Sequence, residues 1–268
     1  MTRWLAAAIL AAIVLAGCKE ETLVYERALD DGPSFSAYLV SYNSSGLKVH
    51  AMVAVPKIEM PDDGYPVVVA NHGYVPDPTK YGITAEGIDS RPGDYYRSVP
   101  ELYASRGFLV VLPDYRGHNN SDGLEFTTTK ESVDYYADDV IALLNILGQL
   151  KQANADRVFM WSHSMGGGVS MRVLLATDVI KGASFWATMS LQDLVPELNE
   201  LKAPVMIQHS VGDRSTKNTN SQALANALEA AGLPYEFHEY AGADHYFEGA
   251  DREVAANRDA TFFRSLDD

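Results

Sequence analysis

Residues 157–168 read Arg157-Val158-Phe159-Met160-Trp161-Ser162-His163-Ser164-Met165-Gly166-Gly167-Gly168. An apolar run suited to a buried strand, Arg157 to Trp161, passes directly into Ser-His-Ser-Met-Gly-Gly, and an apolar helical stretch follows through Leu175. A strand–tight turn–helix unit of this kind lifts the side chain at the turn above the sheet edge and tolerates only small residues two positions to either side. Ser164 occupies the turn and Gly166 meets the requirement at plus two, while Ser162 stands where glycine is usual at minus two. Serine is small enough to keep the turn. The stretch implies an α/β sheet with Ser164 presented at the carboxyl end of a strand.

Working outward, Val67 to Ala70, Phe108 to Leu112, Ala183 to Ala187, Val205 to Gln208 and Tyr235 to Glu239 are further short apolar runs. Strands buried on both faces of a parallel sheet have this composition. Helical patterns lie between several of them. Tyr136, Val140, Leu143, Leu144 and Leu147 share one face of Tyr135 to Leu150. Ser221 to Ala231 opens at a serine cap and stops at Gly232 before Pro234, and Asp251 to Leu266 reads as a closing helix carrying Val254, Phe262 and Phe263. Upstream, Phe35 to Ser41 and Leu47 to Val55 flank Asn43-Ser44-Ser45-Gly46, a hairpin signal. The expectation is an α/β domain over residues 34–268, with a mostly parallel central sheet, an N-terminal antiparallel hairpin and helices on both faces. Ser164 to Asp213 must hold a helix, a strand, a connecting segment and another strand, which leaves no space for a large cap.

A serine hydroxyl is a weak nucleophile at neutral pH and needs a histidine base oriented by a carboxylate. Downstream of Ser164, Asp213 sits in the loop after one buried run and His245 in the loop after the next. The order Ser, Asp, His and the position at strand carboxyl ends agree with that chemistry. Asp244 is the alternative acid, although a residue rarely points at the ring of its chain neighbour. His50, His72, His118, His163, His209 and His238 lie upstream of Ser164 or within or at the edge of a strand. A metal set of His209, Asp213 and His245 lacks the H-E-x-x-H spacing, and the serine chemistry needs no metal or organic cofactor. Acyl transfer also needs donors aimed at the developing oxyanion. The Met165 N–H follows the nucleophile directly, and the Tyr74 N–H comes from Asn71-His72-Gly73-Tyr74 after the Val67 to Ala70 strand. The irregular segment Tyr74 to Pro100 is long enough to overhang the site, with Tyr81, Tyr95 and Tyr96 as aromatic walls of a substrate pocket.

The set His72-Gly73-Tyr74, Asp114-Tyr115-Arg116-Gly117-His118, Ser162-His163-Ser164-Met165-Gly166-Gly167, Gly212-Asp213 and Asp244-His245 resembles an α/β-hydrolase. More closely, it resembles the catalytic domain of the prolyl oligopeptidase (S9) and dienelactone hydrolase group, from about Ser34 to the C-terminus. The resemblance implies a serine hydrolase that cleaves a small carboxylic ester or a short peptide or amide through an acyl-Ser164 intermediate. It also implies that Asp114 to His118 is a structural turn. The motif words are those of S9 peptidases, whereas the compactness, without a β-propeller, is that of dienelactone hydrolases. Ester and amide both stay open. The alternative is a non-catalytic surface binding protein on the same fold.

Composition narrows the setting. Lys plus Arg number 21 against 36 Asp plus Glu, for a net charge of −15, so clustered cations for a nucleic-acid partner are lacking. Met1-Thr2-Arg3 followed by the apolar run Trp4 to Ala16 is too short for a hydrocarbon core about 30 Å thick and fits a secretory signal. Leu15-Ala16-Gly17-Cys18 contains the chain's single cysteine and resembles the lipobox of bacterial lipoproteins. That resemblance implies a signal peptide over 1–17, a lipidated Cys18, and a tether and entry segment over 18–33. It further implies export and anchoring to a bacterial membrane, either the outer membrane facing the periplasm or the cell surface. An ordinary cleavable signal with a stray cysteine is the alternative. Cys18→Ser is expected to move the protein from the detergent phase to the aqueous phase; equal partitioning of the two would refute the anchor.

Overall fold

The computed structural model describes residues 22–80, 96–242 and 244–267. These form strands β1 (Val24–Ala28), β2 (Phe35–Ser44), β3 (Leu47–Pro56), β4 (Tyr65–Asn71), β5 (Leu109–Pro113), β6 (Ala153–His163), β7 (Ile180–Trp186), β8 (Val205–Ser210) and β9 (Tyr235–Tyr240). The helices are α1 (Val99–Ala104), α2 (Ser132–Ile146), α3 (Met165–Ala176), α4 (Asn218–Ala231) and α5 (Gly249–Ser265). The strands make one sheet in the order β1-β2-β3-β5-β4-β6-β7-β8-β9. Pairing is antiparallel from β1 to β5 and parallel from β5 through β4 to β9. No cap domain interrupts the described sheet.

Burial on both faces explains the continuous apolar runs. Val67, Val69, Leu109 and Val111 pack with residues of α2, α3 and α4 on one face. Val68, Ala70, Val110 and Leu112 pack with residues of α1 and α5 on the other. The β2–β3 hairpin closes through Ser45 (φ 52°) and Gly46 (φ 89°), with Ser44 paired to Leu47. Two consecutive left-handed residues match the right-handed twist of the flanking strands, so the turn is tighter than the four-residue signal.

Two expectations are corrected. Val24–Ala28, within the segment read as tether and entry, is an edge strand of the same sheet, with Val24 opposite Ser41 and Ala28 opposite Tyr38. Most of its residues are exposed, so it carries no apolar alternation by which to recognise it. Ser221 does not cap α4. It lies inside the helix, where its hydroxyl bonds the buried His209 Nδ1 at 2.7 Å, and Lys217 precedes the first turn. Residues 1–21, which include Cys18, and residues 81–95, which include Tyr81 and Tyr95, lie outside the described residues. No described helix is long and apolar enough to cross a membrane.

After β4 the chain runs outward to β5, beside β3, and returns to place β6 on the other side of β4. The carboxyl ends of β4 and β6, paired at Asn71 and Ser162, therefore flank a switch in strand order. Open α/β sheets hold their ligands at such a point.

Beneath the sheet, Asp259 of α5 is fully buried. Its carboxylate accepts from Tyr103 Oη (2.6 Å), Trp186 Nε1 (2.8 Å) and Gln208 Nε2 (2.6 Å), linking α1, β7 and β8 to α5. Burial, only partly offset by the hydroxyl, indole and amide donors, raises its carboxyl from 3.8 to about 7. A folded-state value above the unfolded one means that the folded chain holds the proton more tightly, so this residue's contribution to stability falls as pH rises from about 4 to about 7. The slope is at most about 1.4 kcal/mol per pH unit for one proton. Chemical unfolding at several pH values should show the difference between wild type and Asp259→Asn shrinking along this course. A pH-independent difference would contradict it.

Candidate active site

Ser164 joins β6 to α3 with φ 56° and ψ −119°, a conformation that side-chain-bearing residues rarely adopt. Such backbone costs about 1–3 kcal/mol and persists only where its surroundings hold it. Here the Ser164 N–H donates to the Trp186 carbonyl (3.0 Å), and the Ser164 carbonyl accepts from Gly167 (3.0 Å) and Met189 (3.1 Å). A Cβ on Gly166 would stand 2.1 Å from the Asn71 carbonyl oxygen, and one on Gly73 would stand 3.0 Å from Ser164 Cβ. The β4 turn and the elbow are thus pressed together. Ser162 is accommodated at minus two because its hydroxyl turns into the sheet and donates to the Ser184 carbonyl of β7 at 3.2 Å.

Asp213 follows β8, and its side chain is fully buried. Oδ1 accepts from the Ser215 and Thr216 N–H groups at 2.7 and 3.1 Å. Oδ2 meets His245 Nδ1 at 2.7 Å and His209 Nε2 at 3.2 Å. Burial alone would raise this carboxyl, but the His209 and His245 imidazoles and the backbone donors hold it well below the usual carboxylate range. Asp213 stays ionised. The contact orients His245 with Nδ1 protonated and leaves Nε2 as the basic nitrogen.

The loop bearing His245 is braced from within. Asp244, the alternative acid, instead accepts the Tyr246 and Glu248 N–H groups at 2.8 and 2.9 Å on the approach to α5. Phe247, at φ 54°, is buried against Trp186 and Tyr240. His209, read in sequence as closing a strand, shares Oδ2 with His245 and also faces the Thr216 carbonyl at 2.9 Å. Only its position four residues before Asp213 could have suggested this role.

Met165 opens α3, so its N–H belongs to the first turn, which an α-helix leaves without an internal acceptor. Tyr74 follows Gly73 in the turn after β4 and is 72% exposed. Tyr96, expected on a pocket wall, is buried under the elbow instead. Its ring lies among His72, Trp161 and His163, because the apolar ring suits that core while its hydroxyl meets the Gly73 N–H. The exposed aromatic beside the site that sequence reading missed is Tyr246, 41% exposed, with its ring 5.2 Å from that of His245. Its place directly after His245 was the available signal. In the Asp114 to His118 turn, Arg116 is clamped to Asp139 of α2 at 2.7 Å. Tyr115 stacks on His72 at 4.2 Å. Burial lowers His72 to about 3 and His118 to about 4, which keeps both neutral.

Compared with known proteins, residues 87–263 match the model of the dienelactone hydrolase family. The chain is 25% identical over 244 residues to an uncharacterized peptidase, YtmA, of Bacillus subtilis (strain 168), covering 78% of this chain and 86% of that protein. It superposes on the crystal structure of Porphyromonas gingivalis dipeptidyl peptidase 4 with a TM-score of 0.69 and 18% identity, over 87% of this chain but 36% of the peptidase. A putative dienelactone hydrolase from Klebsiella pneumoniae matches with a TM-score of 0.67 and 18% identity, over 86% of this chain and 99% of the other. At these identities the two structures bear on the fold alone, and the α/β-hydrolase architecture expected from the sequence is the one found.

Proposed function

The chain belongs to the dienelactone hydrolase family, and we propose that it is a serine hydrolase working through an acyl-Ser164 intermediate. Ser164 Oγ attacks the carbonyl carbon of a small carboxylic ester or a short peptide or amide. His245 Nε2 takes the hydroxyl proton and then delivers it to the departing alcohol or amine. Water, activated by the same imidazole, releases the acid and restores the serine. Asp213 holds the ring and stabilises the imidazolium, while the Met165 and Tyr74 N–H groups receive the oxyanion. The observation carrying this reading is the 2.7 Å contact of His245 Nδ1 with a buried, ionised Asp213, beside a serine held in strained backbone. The peptidase and dienelactone hydrolase relatives support both substrate classes. In this reading the enzyme is exported and held at a bacterial membrane by lipid on Cys18.

The test is to treat the full-length protein with a fluorophosphonate probe and locate the adduct by mass spectrometry. The adduct is expected on Ser164, with turnover of p-nitrophenyl acetate lost in proportion to labelling. Aminoacyl anilides run in parallel rank amide against ester. A folded protein that takes no label would replace this reading with the binding-protein one.

A further inference from the structure

Three hydrogen bonds cross the floor of the site. The Gly73 N–H donates to Tyr96 Oη at 2.9 Å, Tyr96 Oη lies 2.5 Å from His163 Nδ1, and His163 Nε2 lies 2.8 Å from the His245 carbonyl oxygen. Their directions follow from the chemistry of the atoms. A carbonyl oxygen only accepts, so His163 Nε2 carries hydrogen. His163 is fully buried; burial first, then the adjacent His245 imidazole, lowers it to about 3, so the ring is neutral. Nδ1 therefore holds a lone pair and accepts the Tyr96 O–H, while the Tyr96 oxygen accepts from Gly73.

The path joins the three parts that acyl transfer needs in register. It starts in the turn after β4, which presents Tyr74, and passes through the residue before Ser164. It ends on the backbone of His245. The bonded residues are distant in sequence, 67 positions between Tyr96 and His163 and 82 between His163 and His245, so the path ties separate loops together. Phenylalanine at both positions would fill the same space without burying polar groups, which cost free energy unless they are paired. The His163 ring also lies 4.4 Å from that of His245. Its neutral form places no like charge beside the imidazolium formed in the reaction.

We propose that Tyr96 and His163 are positioning residues that hold the oxyanion turn and the base loop against the nucleophile's strand, with His163 fixed as the Nε2–H tautomer. The proposal rests on the serine-hydrolase reading above. It is tested with full-length Tyr96→Phe, His163→Phe and His163→Gln. The measurements are the rate constant and endpoint of fluorophosphonate labelling, kcat and KM for p-nitrophenyl acetate, and side-chain nitrogen NMR of wild-type His163.

Both phenylalanine variants are expected to label and turn over about 10–100-fold more slowly, the scale of an ångström-level misplacement. The labelling endpoint and KM should stay unchanged. His163→Gln, whose amide N–H can reach the same carbonyl, should recover part of the rate. Wild-type His163 should show a protonated Nε2 and an unprotonated Nδ1 from pH 8 down to pH 5. Wild-type rates in the phenylalanine variants would overturn the proposal and leave the hydrolase reading intact. So would a reduced endpoint at an unchanged rate, which marks a merely structural role. Should the phenylalanine variants fail to fold, His163→Gln and the tautomer decide, and a protonated Nδ1 overturns the proposal. A wild type that takes no label overturns both.

Discussion

Ser164→Ala is expected to lower turnover by about 10⁶-fold and to abolish fluorophosphonate labelling, because in the proposed mechanism its hydroxyl is the covalent acyl carrier. The fold should survive. The elbow is held by backbone bonds from Trp186, Gly167 and Met189, none of which uses the hydroxyl. Alanine keeps the Cβ, so the strain of φ 56° remains. Ser164→Gly removes the Cβ as well and is expected to be equally inactive yet more stable than Ser164→Ala by about 1 kcal/mol or more. Turnover assays and chemical denaturation of the two variants separate the contributions. Retained labelling in Ser164→Ala would assign the nucleophile elsewhere. Equal stability of the two would mean that the turn carries no strain.

Asp213→Asn is expected to cost about 10⁴-fold in kcat, the scale seen when the orienting carboxylate of such a triad is made neutral. The carboxylate receives donors on both oxygens, from Ser215, Thr216, His209 and His245. An amide nitrogen at either position faces one of those donors. Turned toward His245, it inverts the tautomer and places the Nδ1 lone pair where the proton belongs. Stability moves too. A carboxyl held below its ordinary 3.8 contributes stability that is present above that value and lost as pH falls through the folded-state one, so the variant is destabilised at neutral pH. Asp213 is ionised across the working range, so a decline of wild-type activity on mild acidification does not arise from its protonation. Asp244→Asn, which alters a backbone brace, should cost far less. If Asp244→Asn were the inactive variant and Asp213→Asn kept activity, the acid would have to be reassigned.

Local sequence was sufficient for the fold class. The runs that became β4 to β8 are continuous because both faces of each strand are covered, whereas β9, read as a similar run, is a sheet edge with Glu236 and Glu239 exposed; the helices between them carry one apolar face. The elbow at Ser164 is likewise a local object, since its small neighbours are demanded by contacts within a few ångströms, such as Gly166 against Asn71. Chain order and strand ends nominated Asp213 and His245, while their 2.7 Å approach comes from the parallel pairing of β8 with β9.

What remained hidden is what long-range packing decides. The edge strand Val24–Ala28 is exposed and needs no apolar pattern to form, only the free edge of β2. Spacing favoured Asp213 over Asp244 as the acid, but what Asp244 does instead depends on the donors that surround it, the Tyr246 and Glu248 N–H groups. Tyr96, with the aromatic composition of a pocket wall, was drawn beneath the Ser164 elbow by Trp161 and by the Gly73 N–H. His209 and Tyr96 belong to no motif, and His163 sits in the elbow motif without that motif naming its partners, since the partners of all three lie on other loops. The sequence by itself determined the central strands of the sheet, its two covered faces and the turn at Ser164, all of which follow from near neighbours. Only the tertiary structure decided which buried polar groups pair, because desolvation compels a partner without specifying where in the chain that partner lies.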